Sequence, residues 1–400
     1  MSVLFGDRKR VTVVGVIGLA VAAIGLLIFS VPLRVHAAAP GGFYQQKNLV
    51  SDQPGVAVIQ DSNLVNPWGV TSTATSPFWV ADNVSGVSTL YSGDVGGSSI
   101  VRSSLVVTIP GGGAPTGIVA NGTADFVVHS GASSGPARFI FASQTGVISG
   151  WNPAVPPPPT STSAQVGGTG DAVYTGLAIG QSGGANYLYA ADFEHNTIDV
   201  YDKTFQHVEL DGSFSDPNTP NSYSTFNIQN LGGRLYVTYA QQNHKEPDEE
   251  TDRGSGFVDV FDTSGHLLQR LIKGNHLNAP WGLALAPGNF GPFSNALIVG
   301  NFGNGHLQAF DPDSGRFLGE LGNADRKPIV IDGLWGIIFG NGGSGGDRNA
   351  LYFAAGPEDE THGSPGSYHR HMSVSPVRST ILARMSLRPS RLRPARLHYR

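Results

Sequence analysis

The sequence predicts an all-β protein, a six-bladed β-propeller with four-stranded blades, and three observations support this fold class. Gly and Pro are abundant, at 54 and 26 of 400 residues, while charged residues make up only 14% of the chain. That composition is typical of short strands joined by turns and argues against a helical bundle. A short motif recurs six times, and each copy is followed by further short runs rich in β-branched and aromatic residues.

The recurring motif centres on a small residue, as in Asn-Pro-Trp-Gly-Val at 66–70. Its central positions, separated by 48 to 59 residues, are Gly69, Gly117, Gly176, Asn227, Gly282 and Gly336. We expect the motif to form the first strand of each blade, beside the central channel, where a glycine permits close approach of the neighbouring backbone. Trp68, Trp281 and Trp335 are expected to pack between blades as core residues rather than to stack on a ligand.

The remaining strand-like runs give each blade its internal order. Second strands are predicted at 78–81, 125–128, 187–190, 235–238, 296–299 and 351–354. Third strands are predicted at 87–91, 138–141, 197–201, 257–261 and 305–310, and fourth strands at 104–109, 207–213, 267–272 and 317–321. Blade six lacks later strands of its own, so we expect residues 43–50 to supply its fourth strand and to close the ring.

The N-terminal residues 1–37 are a separate region. Arg-Lys-Arg at 8–10 precedes an apolar run at 11–31 and a small-residue stretch that ends in three alanines at 37–39. This pattern predicts a secretory signal peptide. The apolar run is also long enough for an uncleaved membrane anchor, and either alternative places the rest of the chain outside the cytoplasm. The chain has no Cys, which excludes a disulfide scaffold and a thiolate metal site.

The body at 38–362 and the C-terminal region at 363–400 differ in charge. The tail contains eight Arg and no Asp or Glu, and is expected to be a disordered, solvated segment. Subtracting these arginines and the leader's net +3 from the whole-chain charge of −5 leaves −16 for the body. An acidic body argues against nucleic acid as its partner.

Several motifs together resemble an uncharacterised family of exported bacterial proteins that is similar to NHL-type six-bladed propellers. They include Asn-Leu-Val-Ser-Asp at 48–52, Phe-Trp-Val-Ala-Asp-Asn at 78–83, Gly-Phe-Val-Asp-Val-Phe-Asp at 256–262 and Leu-Tyr-Phe-Ala-Ala-Gly at 351–356. The resemblance covers roughly residues 43–362 and implies the fold but no activity. It fails after His362, where the family pattern implies a last strand and this chain has Ser-Pro-Gly-Ser at 364–367. We therefore expect the third strand of blade six to be truncated.

The candidate functional residues lie in the predicted loops between second and third strands, which project from one face of a propeller. The candidates are Asp82, Asn83, His129, Asp192, Glu194, His195, Asn243, His244, Asn301, Asn304, Glu358, Asp359 and His362. Such a ring of carboxylates, amides and imidazoles has the chemistry to bind a divalent cation, with Asp82, His195, Asn301 and His362 as candidate ligands, or to support acid–base chemistry. The alternative is that the Asx residues only shape turns.

These observations leave three functional hypotheses. The leading one is an exported module that binds a small molecule, a glycan or an envelope protein without turnover and without a definite cofactor. The second is a metal-dependent hydrolase or lyase on the same face. It is disfavoured because the first-strand motifs carry no carboxylate, whereas resemblance to NHL-like enzymes implies acidic residues there. The third is an envelope structural module tethered by an uncleaved N-terminal helix.

Overall fold

The computed structural model describes residues 42–156, 164–165, 167–168, 170–242, 255–356 and 381–389. These residues form β-strands and one short 3₁₀ turn, Gly291–Phe293. The strands are arranged in six sheets around an axis, with a small extra hairpin, so the predicted six-bladed propeller is confirmed. The N-terminal region 1–37 lies outside the described residues. Within the described ones, no helix is long and apolar enough to cross a membrane.

Blades three, four and five each have four strands in the predicted order. Blade three consists of β14 (Tyr174–Ser182), β15 (Ala185–Asp192), β16 (Thr197–Tyr201) and β17 (His207–Val208). Blade four consists of β18 (Tyr223–Leu231), β19 (Arg234–Gln241), β20 (Phe257–Phe261) and β21 (Leu267–Lys273). Blade five consists of β22 (Pro280–Leu285), β23 (Leu297–Asn301), β24 (Leu307–Phe310) and β25 (Phe317–Glu320).

Blade one follows the same order, but its fourth strand is split. The blade consists of β3 (Pro67–Thr71), β4 (Phe78–Asp82), β5 (Val87–Ser92), β6 (Val101–Arg102) and β7 (Val107–Thr108). Both β6 and β7 pair with β5. The predicted fourth strand at 104–109 therefore contains only β7, and β6 lies just before it.

Blade two differs from the prediction. Its strands are β8 (Pro115–Ala120), β11 (Phe139–Ser143), β12 (Ile148–Trp151) and β13 (Ala164–Gln165). The run at 125–128, predicted as the second strand, instead belongs to a separate hairpin of β9 (Val127–Ser130) and β10 (Ser133–Pro136). Phe126 and Val128 are buried against the core that blades two and three share. The apolar character of this run therefore reflects an inserted hairpin that packs on the core. The run predicted as the third strand, 138–141, instead forms the second strand of the blade, β11.

Blade six is completed by both ends of the described chain. Its strands are β26 (Leu334–Phe339), β27 (Leu351–Ala355), β28 (Ile381–Pro389) and β1 (Gly42–Ser51), and β2 (Ile59–Gln60) pairs in parallel with the end of β1. The predicted closure of the ring by an N-terminal fourth strand is confirmed.

The expectation that the third strand of blade six is truncated is wrong. β28 lies between β27 and β1 and pairs antiparallel with both. Leu382, Ala383 and Met385 are fully buried there, and Arg384 reaches a carboxylate oxygen of Asp94 at 3.0 Å. A part of the expected basic tail therefore contributes to the core, because apolar and polar residues alternate along 383–388 of this Arg-rich run.

The anchor positions bring the six first strands close together, as predicted. A Cβ at Gly69 would lie 2.5 Å from the carbonyl oxygen of Thr116 in the next blade, and one at Gly336 would lie 2.5 Å from that of Trp68. Real side-chain atoms do not approach backbone oxygens so closely, so these positions require glycine. Asn227, the exception, uses its side chain in the same gap and donates from Nδ2 to the carbonyl oxygen of Trp281 at 2.7 Å.

Candidate functional site

The six first strands begin at the face that carries the loops between second and third strands. Pro67 at the start of β3 pairs with Asp82 at the end of β4, and Pro280 pairs with Asn301 in the same way in blade five. We call this side of the propeller the loop face. The opposite side carries the hairpins that join first and second strands.

The propeller axis is closed at the loop face by aromatic rings. This axial aromatic cluster consists of Trp68, Phe226, Trp281 and Trp335, with Phe193 and Phe302 packed against it. Trp335 stacks on Trp68 with ring centroids 3.5 Å apart and on Phe302 at 4.1 Å, while Trp281 meets Trp335 edge-on at 5.7 Å. Trp335 is 1% exposed, whereas Phe193 and Phe302 remain partly accessible.

The three tryptophans are buried, as expected of core residues, but their packing differs from the prediction. They come from blades one, five and six and contact one another, rather than each filling a gap between two neighbouring blades. The adjacent anchor glycines explain this arrangement. Glycine has no side chain, so backbone alone occupies the space between neighbouring first strands. This leaves room at the axis for the indole of the Trp that precedes each of these glycines.

Asp82 is placed at the loop face, but its side chain is internal. The Thr89 hydroxyl donates to one carboxylate oxygen at 2.8 Å, and the other oxygen is buried with no hydrogen-bond partner. Burial raises the pKa of Asp82 well above its usual range, and the nearby Asp61 adds to this effect. Asn83 next to it links two blades, because its amide donates to Gln144 Oε1 at 2.9 Å.

Asp192 and His195 form the clearest polar pair of the loop face. Nδ1 of His195 lies 2.6 Å from Oδ2 of Asp192, a carboxylate that is 2% exposed, while the imidazole is 46% exposed. The same carboxylate accepts the backbone N–H of Val173 and of Glu194, whose own side chain is exposed. The hydrogen bond to Asp192 raises the pKa of His195, and the charge of that carboxylate acts in the same direction.

The candidates of blade five also have structural partners. Asn301 is fully buried and donates from Nδ2 to the carbonyl oxygen of His276 at 3.0 Å. Asn304 accepts the backbone N–H of His306 at 3.2 Å. Asn304 and Asp192 therefore both shape their turns, which is the alternative that the sequence left open.

The remaining candidates do not join this arrangement. His129 is exposed on the inserted hairpin of blade two, so its assignment to a loop between second and third strands is wrong. The loop in that place is 144–147, and it contributes Gln144. Five candidates lie outside the described residues: Asn243, His244, Glu358, Asp359 and His362.

The described side chains do not assemble a metal site at this face. In the ranges that the structure describes, no three His, Asp or Glu side chains converge as a group that could hold a metal ion. Of the four candidate ligands, Asp82 and Asn301 point into the protein, His195 is at the surface, and His362 lies beyond the described ranges.

The sequence analysis missed Phe193 and Phe302, the accessible rings of the loop face. Each directly follows the polar residue that ends a second strand, Asp192 or Asn301. That repeated polar–Phe pair was a usable signal. A search for polar loop residues alone does not detect it.

A second feature of the axis lies on the far side of the aromatic cluster. It is a cavity of about 270 Å³ lined by the first strands of all six blades, which we call the axial cavity. Trp281 belongs both to its wall and to the axial aromatic cluster, so the indoles separate the cavity from the loop face.

No known family model matches the chain. It is similar to two uncharacterised proteins of Acanthamoeba polyphaga mimivirus. It is 32% identical to R648 over 326 residues, covering 80% of this chain and 78% of that protein, and 31% identical to L690, covering 80% and 84%. These relatives are viral, whereas the motifs resemble a family of exported bacterial proteins.

The chain is also similar to solved structures, at low sequence identity. A protein of unknown function from Bacteroides thetaiotaomicron is 11% identical, with a TM-score of 0.47 over 87% of this chain and 77% of its own. A virginiamycin B lyase from Staphylococcus aureus is also 11% identical, with a TM-score of 0.40 over 78% and 82%. At this level of similarity neither structure indicates a function for the chain.

Proposed function

The chain belongs to the family of uncharacterised proteins that includes R648 and L690 of Acanthamoeba polyphaga mimivirus, and we propose that it is an extracytoplasmic binding module whose loop face binds a neutral glycan. The observation that carries the proposal is the pair of partly accessible rings, Phe193 and Phe302, at the centre of that face. Binding sites typically combine aromatic walls with a few placed polar groups.

The two rings are held in place by neighbouring residues, and this favours a binding role for them. Phe302 is held on Trp335 at 4.1 Å, and Phe193 packs against Phe226 at 5.4 Å. The backbone of Phe193 is fixed as well, because its carbonyl oxygen accepts Gln242 Nε2 at 2.9 Å. Rings that are already fixed lose little conformational entropy when a ligand stacks on them.

The loop face carries amides that suit hydroxyl groups, and the exposed carboxylate of Glu194 beside Phe193 disfavours an anionic ligand. Gln144, Gln242 and Asn304 supply amides at this face, and His195 supplies an imidazole held by Asp192. A sugar ring presents apolar C–H groups on its faces and hydroxyls at its rim, which matches aromatic rings bordered by amides. Neither a small molecule nor an envelope protein as partner is favoured by a comparable observation.

Affinity electrophoresis of the full chain in gels that contain starch, xylan or a β-glucan tests the proposal. We expect at least one neutral polysaccharide to retard the protein and the anionic polysaccharide alginate not to do so. Phe193→Ala and Phe302→Ala should each weaken binding at least about tenfold, because burying a Phe side chain contributes roughly 1.5–3 kcal/mol. Leu268→Ala removes an exposed apolar side chain elsewhere and is the matched control. Retardation that is unchanged in both Phe variants would contradict the proposal.

The Asp192–His195 pair favours a second candidate, a metal-dependent hydrolase or lyase. An imidazole held by a buried carboxylate is suited either to metal binding through its other nitrogen or to general base catalysis. Elemental analysis of the full chain before and after chelation distinguishes the two candidates. A stoichiometric metal that disappears in His195→Ala would favour the enzyme, whereas its absence from both proteins would disfavour it.

The location of the protein is also part of the proposal. It depends on residues 1–37, which are predicted to direct export or to anchor the chain. N-terminal sequencing of the protein, purified from the cells that produce it, separates these alternatives. A mature terminus near residue 38 supports a cleaved signal peptide, and an intact Met1 in the membrane fraction supports a tether.

A further inference from the structure

We propose that the axial cavity is a second binding site, separate from the loop face, for a single neutral polyhydroxylated ring. The cavity is lined by first strands and contains no charged side chain among its lining residues. Its volume of about 270 Å³ falls just below the roughly 300–1,000 Å³ of sites for drug-sized ligands. An occupant of one ring therefore fits it, and a charged occupant would find no partner.

The polar groups of the cavity lie on opposite walls. The blades form a closed ring in chain order, so blades one and four face each other across the axis. Blade one contributes the hydroxyls of Thr71 and Ser72, and blade four contributes the amide of Gln229. None of these three side chains makes a hydrogen bond with another described residue. Their donors and acceptors are therefore available to a ligand in the axial cavity.

The remaining walls are apolar. Val119 of blade two and Ile179 of blade three lie on one side, Ile338 of blade six lies on the other, and Trp281 forms the inner end. A ring with hydroxyls at its rim and C–H groups on its faces matches this alternation of polar and apolar walls. The first strands are also sheet edges, and side-chain amides already use some of their backbone carbonyls, as where Asn230 Nδ2 donates to the carbonyl oxygen of Ile179 at 2.9 Å.

An unliganded cavity of this size would hold about nine waters at roughly 30 Å³ each. Waters beside Val119, Ile179 and Ile338 have few partners, so a ring that displaces them while bonding to Gln229 and Thr71 gains affinity. This reasoning rests only on the cavity and is independent of whether the loop face binds a glycan.

Saturation-transfer NMR on the full chain with D-glucose, D-galactose and myo-inositol as probes tests the site. Glucuronate serves as the charged counterpart of glucose. We expect at least one neutral ring to bind and glucuronate to bind more weakly. Gln229→Leu and Thr71→Val, which nearly preserve side-chain size, should each weaken binding about tenfold because each removes a hydrogen bond to the ring.

Two controls separate this site from the rest of the molecule. Gln206→Leu removes an exposed amide outside the cavity and should leave binding of the single ring unchanged, and Phe302→Ala detects any share of the binding that occurs at the loop face. The proposal is overturned if no neutral ring binds, if glucuronate binds as well as glucose, or if the two cavity variants bind like the unmodified chain. Loss of binding in Phe302→Ala would assign the ring to the loop face instead.

Discussion

The two ends of the propeller axis are built from the same six strands, yet one is closed by aromatic rings and the other is open. At the loop face, Trp68, Trp281 and Trp335 precede their anchor glycines and meet at the axis. Beyond the glycines, the strands continue with smaller or polar residues such as Thr71, Ala120 and Gln229, which leave the axial cavity. The size of the side chains on each side of the anchor therefore determines whether that end of the axis is closed or open.

The largest expected effect tests the ring on which both ends depend. Removing residues 381–400 deletes β28, so β27 and β1 lose their shared partner and the buried Leu382 and Met385 are lost with it. We expect the protein to lose cooperative unfolding in circular dichroism melts, because an unclosed propeller exposes long strand edges. Removing only residues 390–400 is the control. Equal melting temperatures for the two truncations would show that β28 is dispensable.

The second largest expected effect is a loss of stability when the aromatic cluster at the closed end of the axis is disrupted. Trp335→Ala removes the ring that contacts both other tryptophans and Phe302, so we expect the free energy of unfolding to fall by about 3–5 kcal/mol. Denaturant unfolding measures this loss. Leu268→Ala, at a site that is 49% exposed, should change stability by less than about 0.5 kcal/mol. A loss below about 1 kcal/mol for Trp335→Ala would mean that the aromatic cluster does not hold the axis closed.

A smaller effect tests the boundary between the two ends. In Gly336→Ala the new Cβ would lie 2.5 Å from the carbonyl oxygen of Trp68, so the strands must separate, at a cost of about 1–3 kcal/mol. Gly122→Ala is a matched control, because no atom lies within 4 Å of the added Cβ and the backbone is not left-handed there. Similar melting temperatures for the two variants would contradict the close-approach explanation of the anchor.

The smallest effect concerns the surface of the loop face. Because Asp192 raises the pKa of His195 above its value in the unfolded chain, the pair stabilises the fold below about pH 6.5 and the contribution is lost as the pH rises through the folded pKa. The imidazole is half exposed, so we expect less than about 1 kcal/mol. An NMR titration of His195 measures the shift, and Asp192→Asn should return the pKa toward its ordinary value. A pKa that Asp192→Asn leaves unchanged would argue against the pair.

Much of the fold was predictable because its signals are local. The anchor motifs predicted six first strands, and the run at 43–50 predicted the strand that closes the ring. The errors share one physical cause. The runs at 125–128 and 381–389 both contain strand-forming residues, but tertiary packing decides with which strand each run pairs. The first became an inserted hairpin, and the second became the missing strand of blade six.

The site was less predictable than the fold. Asp82, Asp192 and Asn301 end second strands, directly before the predicted loops, and the burial of all three was not foreseen. A polar residue at a strand end has the same sequence signature whether it faces a ligand or caps a turn. Its neighbours in space, such as Thr89 beside Asp82, decide between these roles.

The number of blades, their order and the glycine at five of the six anchors are encoded locally, because each of these follows from a repeated pattern in the sequence. Long-range packing, in contrast, sets which end of the axis is closed, at the loop face, and which is open. Trp68 and Trp335 are 267 positions apart, and the walls of the axial cavity come from six separate strands. No local pattern records how side chains so distant in sequence share one space.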